Sequence, residues 1–433
     1  MNNRVFKNAA WIIGCKIAQS LINLIIGLLT ARYLGPSNYG VISYVSSIVA
    51  FAVPIMQLGL NAVLVKEFIQ DPNHEGQIMG TALTLNIASS VLCMVGCVAF
   101  TAIADAGEKE TILICALYSL TLLFRATEIT QYWFQSKLLS KYPSIAALFA
   151  YVVVGLYKIY LLASQKSVVW FSLSNVLDFF LISLILIIMY RRVGGQKLGF
   201  NWQIGRDMLS RSKHYIIPSL MVMIFQHTDR IMLKLMIGEA ETGLYSAAIT
   251  CIGISGFVFS AVLDSARPEI LGMKQKSQTM FEKRVTQLYS IITCMCIAQS
   301  LVMTLFAKPI VYILFGSGFS KSASILAVAV WYSTFGYYGS VRNIWILAEE
   351  KQKYLTRINV AGALANVLLN FCLIPFFGAI GAALASLFTQ FFTNVVIGFF
   401  FRPIRRNNDL MVKSWNPAVI LELVRSFLRM RRR

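Results

Sequence analysis

The sequence predicts an all-α integral membrane protein with about 12 transmembrane helices in two six-helix lobes around a central cavity. Three observations carry that prediction. The 433 residues are 57% hydrophobic and only 13% charged, with a mean hydropathy of +0.66, too apolar for a soluble chain of this size. The apolar runs number about twelve, and most hold about 20 residues, enough to cross about 30 Å of hydrocarbon as helices. Finally, "LGPSNYGVIS" from Leu34 nearly repeats as "IGEAETGLYS" from Ile237, so that Gly35, Gly40 and Ser43 match Gly238, Gly243 and Ser246 at a constant offset close to half the chain.

The runs begin near Ala9, Val41, Thr81, Thr111, Ser144, Val168, Tyr215, Leu244, Val285, Ser322, Asn359 and Ala379. The first follows a short basic start, Arg4 and Lys7, and continues past Ala31 with no small-residue cleavage site after a short apolar core. It reads as a retained span and not as a signal peptide. At each repeated corner a helix ends on a glycine able to take left-handed backbone, and a second glycine five residues on precedes the next helix, which predicts a tight hairpin. Asn23 falls opposite Gln226 at the same offset, and "LSNVLDFF" from Leu173 resembles "LASLFTQFF" from Leu384. Six crossings return a chain to the side it started from, so the halves read as parallel repeats. The expected division is an N-terminal lobe over 1–190, a cytoplasmic linker over 191–213, a C-terminal lobe over 214–401 and a basic cytoplasmic tail over 402–433. Within the tail, Asn416 as N-cap and Pro417 at the first helical position would start a helix with Ile420, Leu423, Val424, Phe427 and Leu428 on one face. That pattern fits an interfacial helix on anionic headgroups, and also a solvated basic tail.

Charge sets the orientation. Arg191, Arg192, Lys197, Arg206, Arg211 and Lys213 follow span six, Arg267, Lys274, Lys276, Lys283 and Arg284 follow span eight, and Lys351, Lys353 and Arg357 follow span ten. The opposite side carries Arg32, Lys109, Lys166, Lys308 and Lys321, so the positive-inside rule places both termini in the cytoplasm. The formal charge of +20 is mostly this asymmetry plus the tail, and no nucleic-acid partner is expected. All eight cysteines fall inside predicted spans and imply neither disulfides nor a metal site. His74, His214 and His227 lie on different elements and no GxxxxGK[ST] loop is present, so no catalytic residue, cofactor or metal is expected.

Five stretches carry a family likeness: "ARYLGPSNYGVISY" (Ala31 to Tyr44), "QLGL" (Gln57 to Leu60), "DRIMLKLMIGEAETGLYSAA" (Asp229 to Ala248), "PIVYILFGSGFSKSASIL" (Pro309 to Leu326) and "LLNFCLIPFFGAIGAALAS" (Leu368 to Ser386). Spread over nearly the whole chain, they resemble the polysaccharide-unit (O-antigen type) flippases of the multidrug/oligosaccharidyl-lipid/polysaccharide exporter superfamily. The resemblance implies a twelve-span, two-lobed fold that carries an undecaprenyl-diphosphate-linked oligosaccharide from the cytoplasmic to the outer leaflet of a bacterial inner membrane. It implies O-antigen, capsule or exopolysaccharide synthesis as the setting, with polymerase and chain-length proteins of the same pathway as candidate partners. It does not identify the sugars.

A charge at mid-bilayer costs about 2.5 to 3.5 kcal/mol on insertion scales, so charges inside spans face a cavity or a partner. Lys16, Arg125, Lys158, Arg230, Lys234 and Arg342 stand against Glu128, Asp178, Asp229 and Asp264. Internal pairing is therefore incomplete without a further anion such as a diphosphate. Span one places Lys16, Gln19, Ser20, Asn23, Gly27 and Thr30 on one polar face, and span seven does likewise with Gln226, Arg230 and Lys234. The candidate cavity cations are Lys16, Lys158, Arg230, Lys234 and Arg342, and the candidate sugar contacts are Asn23, Gln226, Tyr337 and Tyr338. Structural alternatives stand beside them: a bridge between Lys158 and Asp178, a network around Asp229, snorkelling of Lys234 and Arg125, and interhelical bonding by Asn359, Asn366 and Asn370.

The leading expectation is a flippase whose cationic cavity binds diphosphate and sugars while the polyprenyl tail stays among membrane lipids. A cation-coupled drug or metabolite antiporter of the same superfamily is the alternative, with Asp178 and Asp264 as candidate proton or sodium sites. A membrane glycosyltransferase or polymerase is the third reading. Short external connections and the lack of an acid–base set count against it.

Overall fold

Hydrocarbon offers backbone N–H and C=O groups no partner, so a chain this apolar must satisfy them within its own helices. The computed structural model describes the backbone of residues 3–416, with the side chains of residue 11 and residues 14–416. Among these residues every regular element is helical. The chain divides into two compact units between His227 and Thr228.

The first unit contains α1 (Asn3–Met56), α2 (Leu64–Gln70), α3 (Glu75–Ala104), α4 (Lys109–Arg125), α5 (Thr130–Ser136), α6 (Lys141–Ala163), α7 (Val168–Arg192) and α8 (Trp202–Ser212). Helix α9 (Ile216–Met236) carries the chain onward, and α10 (Glu239–Lys276), α11 (Gln278–Leu305), α12 (Ala307–Phe315), α13 (Ser322–Ala348), α14 (Lys353–Phe391), α15 (Ile397–Phe400) and α16 (Arg402–Ser414) belong to the second unit. A π-helical segment, Phe392–Val396, joins α14 to α15. Among the described residues, eight stretches are long and apolar enough to cross a membrane: Gly14–Met56, Pro72–Ala104, Lys109–Ser136, Lys141–Ala163, Val168–Arg192, Glu239–Lys276, Gln278–Leu305 and Lys353–Phe400. The first and last of these turn on internal glycines, Gly35 and Gly378, and so supply two spans each. Helices α9 and α13 are more polar, but their 21 and 27 residues suffice to span. The protein is thus an all-α integral membrane protein of about 12 spans.

The repeated corner is visible in the backbone. Gly35 sits at φ 71°, ψ 177° and Gly238 at φ 131°, ψ −178°. Both have the positive φ expected, but their ψ is extended rather than left-handed helical, a region essentially reserved for glycine. Gly316, which ends α12 at φ 83°, ψ −176°, makes the same corner a third time. At Gly35 and Gly238 nothing lies within 4 Å of where a β-carbon would sit, so the constraint is the backbone conformation and not crowding.

Residues 193–215, in the region expected to link the halves, are strapped to the first unit. Gln196 brackets the start of α3, donating to Pro72 O at 2.9 Å and accepting from Gly76 N at 2.9 Å, while Gly199 N donates to Gly76 O at 3.1 Å. Asn201 N donates to Thr81 Oγ1 at 2.9 Å, and the Asn201 side chain caps α8 by accepting from Gln203 N and Ile204 N. Arg211 pairs with Glu67 at 2.7 Å, and Ser212 Oγ donates to Leu58 O at 2.8 Å. Glycine is required where the strap touches α3, because a β-carbon on Gly76 or Gly80 would run into the carbonyl oxygen of Lys197 or Gly199. Under the strap lies the first unit's core, in which Trp133 packs edge-on against Tyr190 at 4.9 Å and donates to Glu75 at 2.8 Å.

The residues that open the expected tail form α16, an amphipathic helix of the second unit. Ile404, Leu410 and Met411 join the core with Phe281, Tyr289 and Trp345, while Arg406 pairs through two bonds with Glu282 at 2.9 and 2.5 Å. The interfacial helix expected over 416–433 lies, apart from Asn416, outside the described residues.

Gly35→Val and Gly238→Val should each strain the corner by about 1–3 kcal/mol and lower the yield and melting temperature of the detergent-purified protein. Variants that accumulate and melt like the parent would remove the corner's backbone requirement.

Candidate functional site

Polar groups inside the first unit gather where α1, α4, α6 and α7 meet around a cavity of about 170 Å³. Its polar lining is Asn23, Tyr118, Tyr151, Lys158, Asn175 and Asp178. Asn175 donates to Phe171 O at 3.1 Å one turn back on α7, which fixes the amide so that its oxygen receives Lys158 Nζ at 3.1 Å. Asp178 lies one turn further along α7. Its Oδ1 is buried and has no hydrogen-bond partner among the described residues. The expected Lys158–Asp178 bridge is therefore replaced by a Lys158–Asn175 bond, with Asp178 within electrostatic range of the ammonium. Nearby, Arg125 pairs with Glu128 at 3.7 Å and lies 5.0 Å over the Phe179 ring. A pocket of this volume holds several waters or a small ion and falls short of the roughly 300–1,000 Å³ typical for a drug-sized ligand.

On α1, Lys16 is exposed two turns before Asn23 and pairs with no acid among the described residues. Gln226, also exposed, lies on α9 one turn before Arg230, whose Nε donates to Ser246 Oγ at 3.2 Å. Lys234, another turn along, is buried.

The second unit encloses Asp229 completely. Its Oδ1 accepts from Asn370 at 2.7 Å and Asn366 at 3.3 Å; its Oδ2 accepts from Ser386 at 2.5 Å and from the Tyr245 hydroxyl. Four donors from α10 and α14 thus satisfy one carboxylate on α9, and all five residues are buried. Asn366 and Asn370 act here as the interhelical bonders their spacing suggests. Tyr245 and Ser386 were not singled out in the sequence, although both fall in the motif stretches.

The remaining candidates occupy other surroundings. Arg342 is 3% exposed and donates to Thr393 O at 2.7 Å. Tyr337 stacks face to face on Phe259 at 4.0 Å. Tyr338 is buried, shares a hydrogen bond with Thr293 at 2.7 Å and accepts from Trp415 Nε1 at 3.2 Å. Asp264 is exposed, 3.9 Å from Arg267 one turn on. The structure therefore unites Asn23, Lys158 and Asp178 at one cavity, and places Tyr337, Tyr338 and Arg342 within the second unit's core.

About twelve spans, glycine corners and charges enclosed between helices define a multi-pass membrane protein of the transporter type. Residues 29–324, more than half of the chain, match the family described as polysaccharide biosynthesis protein, and the chain belongs to that family. It is 21% identical over 416 residues to an Escherichia coli (strain K12) protein named as an O-antigen transporter, covering 90% of this chain and 95% of that one. It is 22% identical over 409 residues to capsular polysaccharide biosynthesis protein CapF of Staphylococcus aureus, covering 92% and 99%. Among solved structures, lipid II flippase MurJ in an inward closed conformation aligns with a TM-score of 0.69 at 14% identity over 93% of this chain and 90% of that one. An inward-facing multidrug resistance MATE family transporter of the MOP superfamily aligns with a TM-score of 0.68 at 14% identity, over 92% and 96%. The fold is that of these transporters.

Removing the enclosed carboxylate strands its donors. Asp229→Ala should destabilise by about 3 kcal/mol or more, and Tyr245→Phe, which deletes one donor, by about 1–2 kcal/mol. Thermal unfolding in detergent reads both; an Asp229→Ala protein as stable as Tyr245→Phe would contradict the network.

Proposed function

We propose that the protein flips an undecaprenyl-diphosphate-linked oligosaccharide from the cytoplasmic to the outer leaflet of a bacterial inner membrane by alternating access, with both termini cytoplasmic. The observation that carries this reading, beside membership in the polysaccharide biosynthesis family, is Lys16: a lysine in the middle of the first span, exposed and without an acidic partner among the described residues. Such a charge is costly against lipid and favourable against a diphosphate. Arg230 and Lys234 are its proposed counterparts on α9, and Asn23 and Gln226 the proposed polar contacts to sugar. The relatives' names, O-antigen transporter and capsular polysaccharide biosynthesis protein, and the likeness to a lipid II flippase support the same cargo class. Polymerase and chain-length proteins of the same pathway are the proposed partners.

Ion coupling is part of the proposal. The cavity at Asp178 is too small for a lipid-linked oligosaccharide, but its buried carboxylate oxygen suits a proton or sodium ion. Asp264 is less suited, being exposed and close to Arg267. The same cavity favours the second reading, a cation-coupled antiporter of drugs or metabolites, which the MATE likeness also supports.

A diphosphate carrying about two negative charges gains roughly 4–5 kcal/mol on leaving an inside-negative compartment at 100 mV if no counter-charge travels with it. Flipping of the lipid-linked oligosaccharide in proteoliposomes, under valinomycin-set potassium potentials, should therefore be faster inside-negative than at zero or inside-positive. Equal initial rates in all three would sink the voltage argument. Lys16→Ala should slow flipping about tenfold or more while inserting normally; wild-type export by that variant would take Lys16 out of the site.

A further inference from the structure

Arg342 is a permanent cation buried in the second unit, and no acid among the described residues pairs with it. Its one hydrogen bond runs from Nη1 to Thr393 O at 2.7 Å, and its Nε has no acceptor among the described residues. A carbonyl supplies a dipole, not a charge, and a buried charge is stable when a counter-charge stands beside it. Of the acids on the elements around Arg342, Glu282 of α11 pairs with Arg406, Glu349 at the end of α13 with Lys274, and Asp264 and Glu269 of α10 with Arg267 and Arg284, while Asp409 of α16 lies within electrostatic range of Arg406.

What those elements do supply is donors. Tyr289 lies within electrostatic range of Arg342 and donates its hydroxyl to Asn407 Oδ1 at 3.1 Å. That bond leaves Asn407 Nδ2 as a buried donor with no acceptor among the described residues. Trp345, one turn after Arg342 on α13, adds a third such donor, its indole Nε1. Asn407 and Trp345 are 0% and 1% exposed. Among the described residues no anion answers this cation and these two neutral donors, and the unpartnered buried acceptors on the same elements, Thr393 Oγ1 and Asn408 Oδ1, carry no charge.

We infer that the second unit holds a small inorganic anion beside Arg342, of halide size, with Asn407 Nδ2 and Trp345 Nε1 as further donors. It acts as a resident counter-ion between α13 and α16. Enclosure decides its source: residues this buried give a lipid diphosphate no entrance, so the anion comes from solution and not from the cargo. The ion also bears on the π-helical segment, since Arg342 and Asn408 hold its carbonyls at Thr393 and Val395, the latter at 2.6 Å. This assignment is independent of the flippase reading, because it is read by stability and not by transport.

The experiment is thermal unfolding of the detergent-purified full chain in sodium chloride, sodium bromide and sodium gluconate at equal ionic strength. The parent should melt about 3–5 °C higher in either halide, with a saturable dependence on concentration. Arg342→Gln should lose the difference. Asn407→Asp, which puts a carboxylate on the residue whose amide would hold the ion, should also lose it and should melt in gluconate as high as the parent in chloride. If Arg342→Gln does not fold, the parent titration and Asn407→Asp decide the matter. A parent that melts identically in all three salts overturns the proposal. So does a halide shift that persists in Asn407→Asp, which would mark an adventitious ion only. Loss of the halide shift on adding a short-chain polyprenyl diphosphate would assign the site to cargo and overturn the resident ion.

Discussion

A chain in hydrocarbon cannot borrow hydrogen bonds from its solvent, and nearly every feature of this structure answers to that constraint. It makes all described regular elements helical and confines chain reversals to short corners. It also explains why the carboxylate of Asp229 is surrounded by a tyrosine, a serine and two asparagines drawn from two other helices. Where a soluble protein would let water complete a buried carboxylate, here each lone pair is assigned to a side chain, so three helices are fastened at one point. The same constraint makes exceptions informative. A lysine without an acid, or a carboxylate oxygen without a donor, is expensive in this setting, which is why the proposed cargo and ion sites rest on Lys16 and Asp178.

The two units meet the constraint differently. Around the small cavity of the first, charge is locally balanced, with Arg125 and Lys158 near Glu128 and Asp178, and the imbalance is one of geometry: the lysine bonds a neutral amide and leaves a carboxylate oxygen without a donor. Such an arrangement can accept a proton or a small cation without rebuilding its surroundings. In the second unit the buried acid, Asp229, is fully satisfied by neutral donors, and the buried Arg342 is answered by a carbonyl alone among the described residues. Among the described residues, one unit therefore presents a carboxylate oxygen without a donor and the other a buried cation without an acid.

What the sequence reveals and what it hides follow from the range of the forces involved. Span number and corner position are legible because hydrophobic length and glycine spacing are local properties, and both Gly35 and Gly238 take the positive φ their position implies. Asn366 and Asn370 are legible for a related reason: four residues apart on an apolar helix, they share one face and must bond across it. Lys158 and Asp178 sit on adjacent helices, but pairing depends on register, and Asn175, one turn before Asp178, meets the lysine instead. Tyr337 and Tyr338 read as candidate sugar contacts in the sequence, yet partners on other elements, Phe259, Thr293 and Trp415, draw them into the core. Helix α16 reads as a tail because its arginines dominate its composition, whereas its position is set by Ile404, Asn407, Asn408 and Met411, all buried. No pattern within residues 193–215 announces that their partners on α3 lie about 120 positions earlier.

The strap that those residues form has a consequence for anyone who labels or tags this protein. A polar, glycine-containing stretch between two hydrophobic halves is where an epitope, a protease site or a fluorescent domain would ordinarily be inserted. Here the backbone of that stretch lies directly on the backbone of α3, with glycines at Gly76 and Gly80 where a single methyl group would collide. An insertion would pry two main chains apart and uncover the core around Trp133. The turn between α3 and α4 is the better port, since Ala106 to Glu110 are all exposed and Gly107 has open space around it.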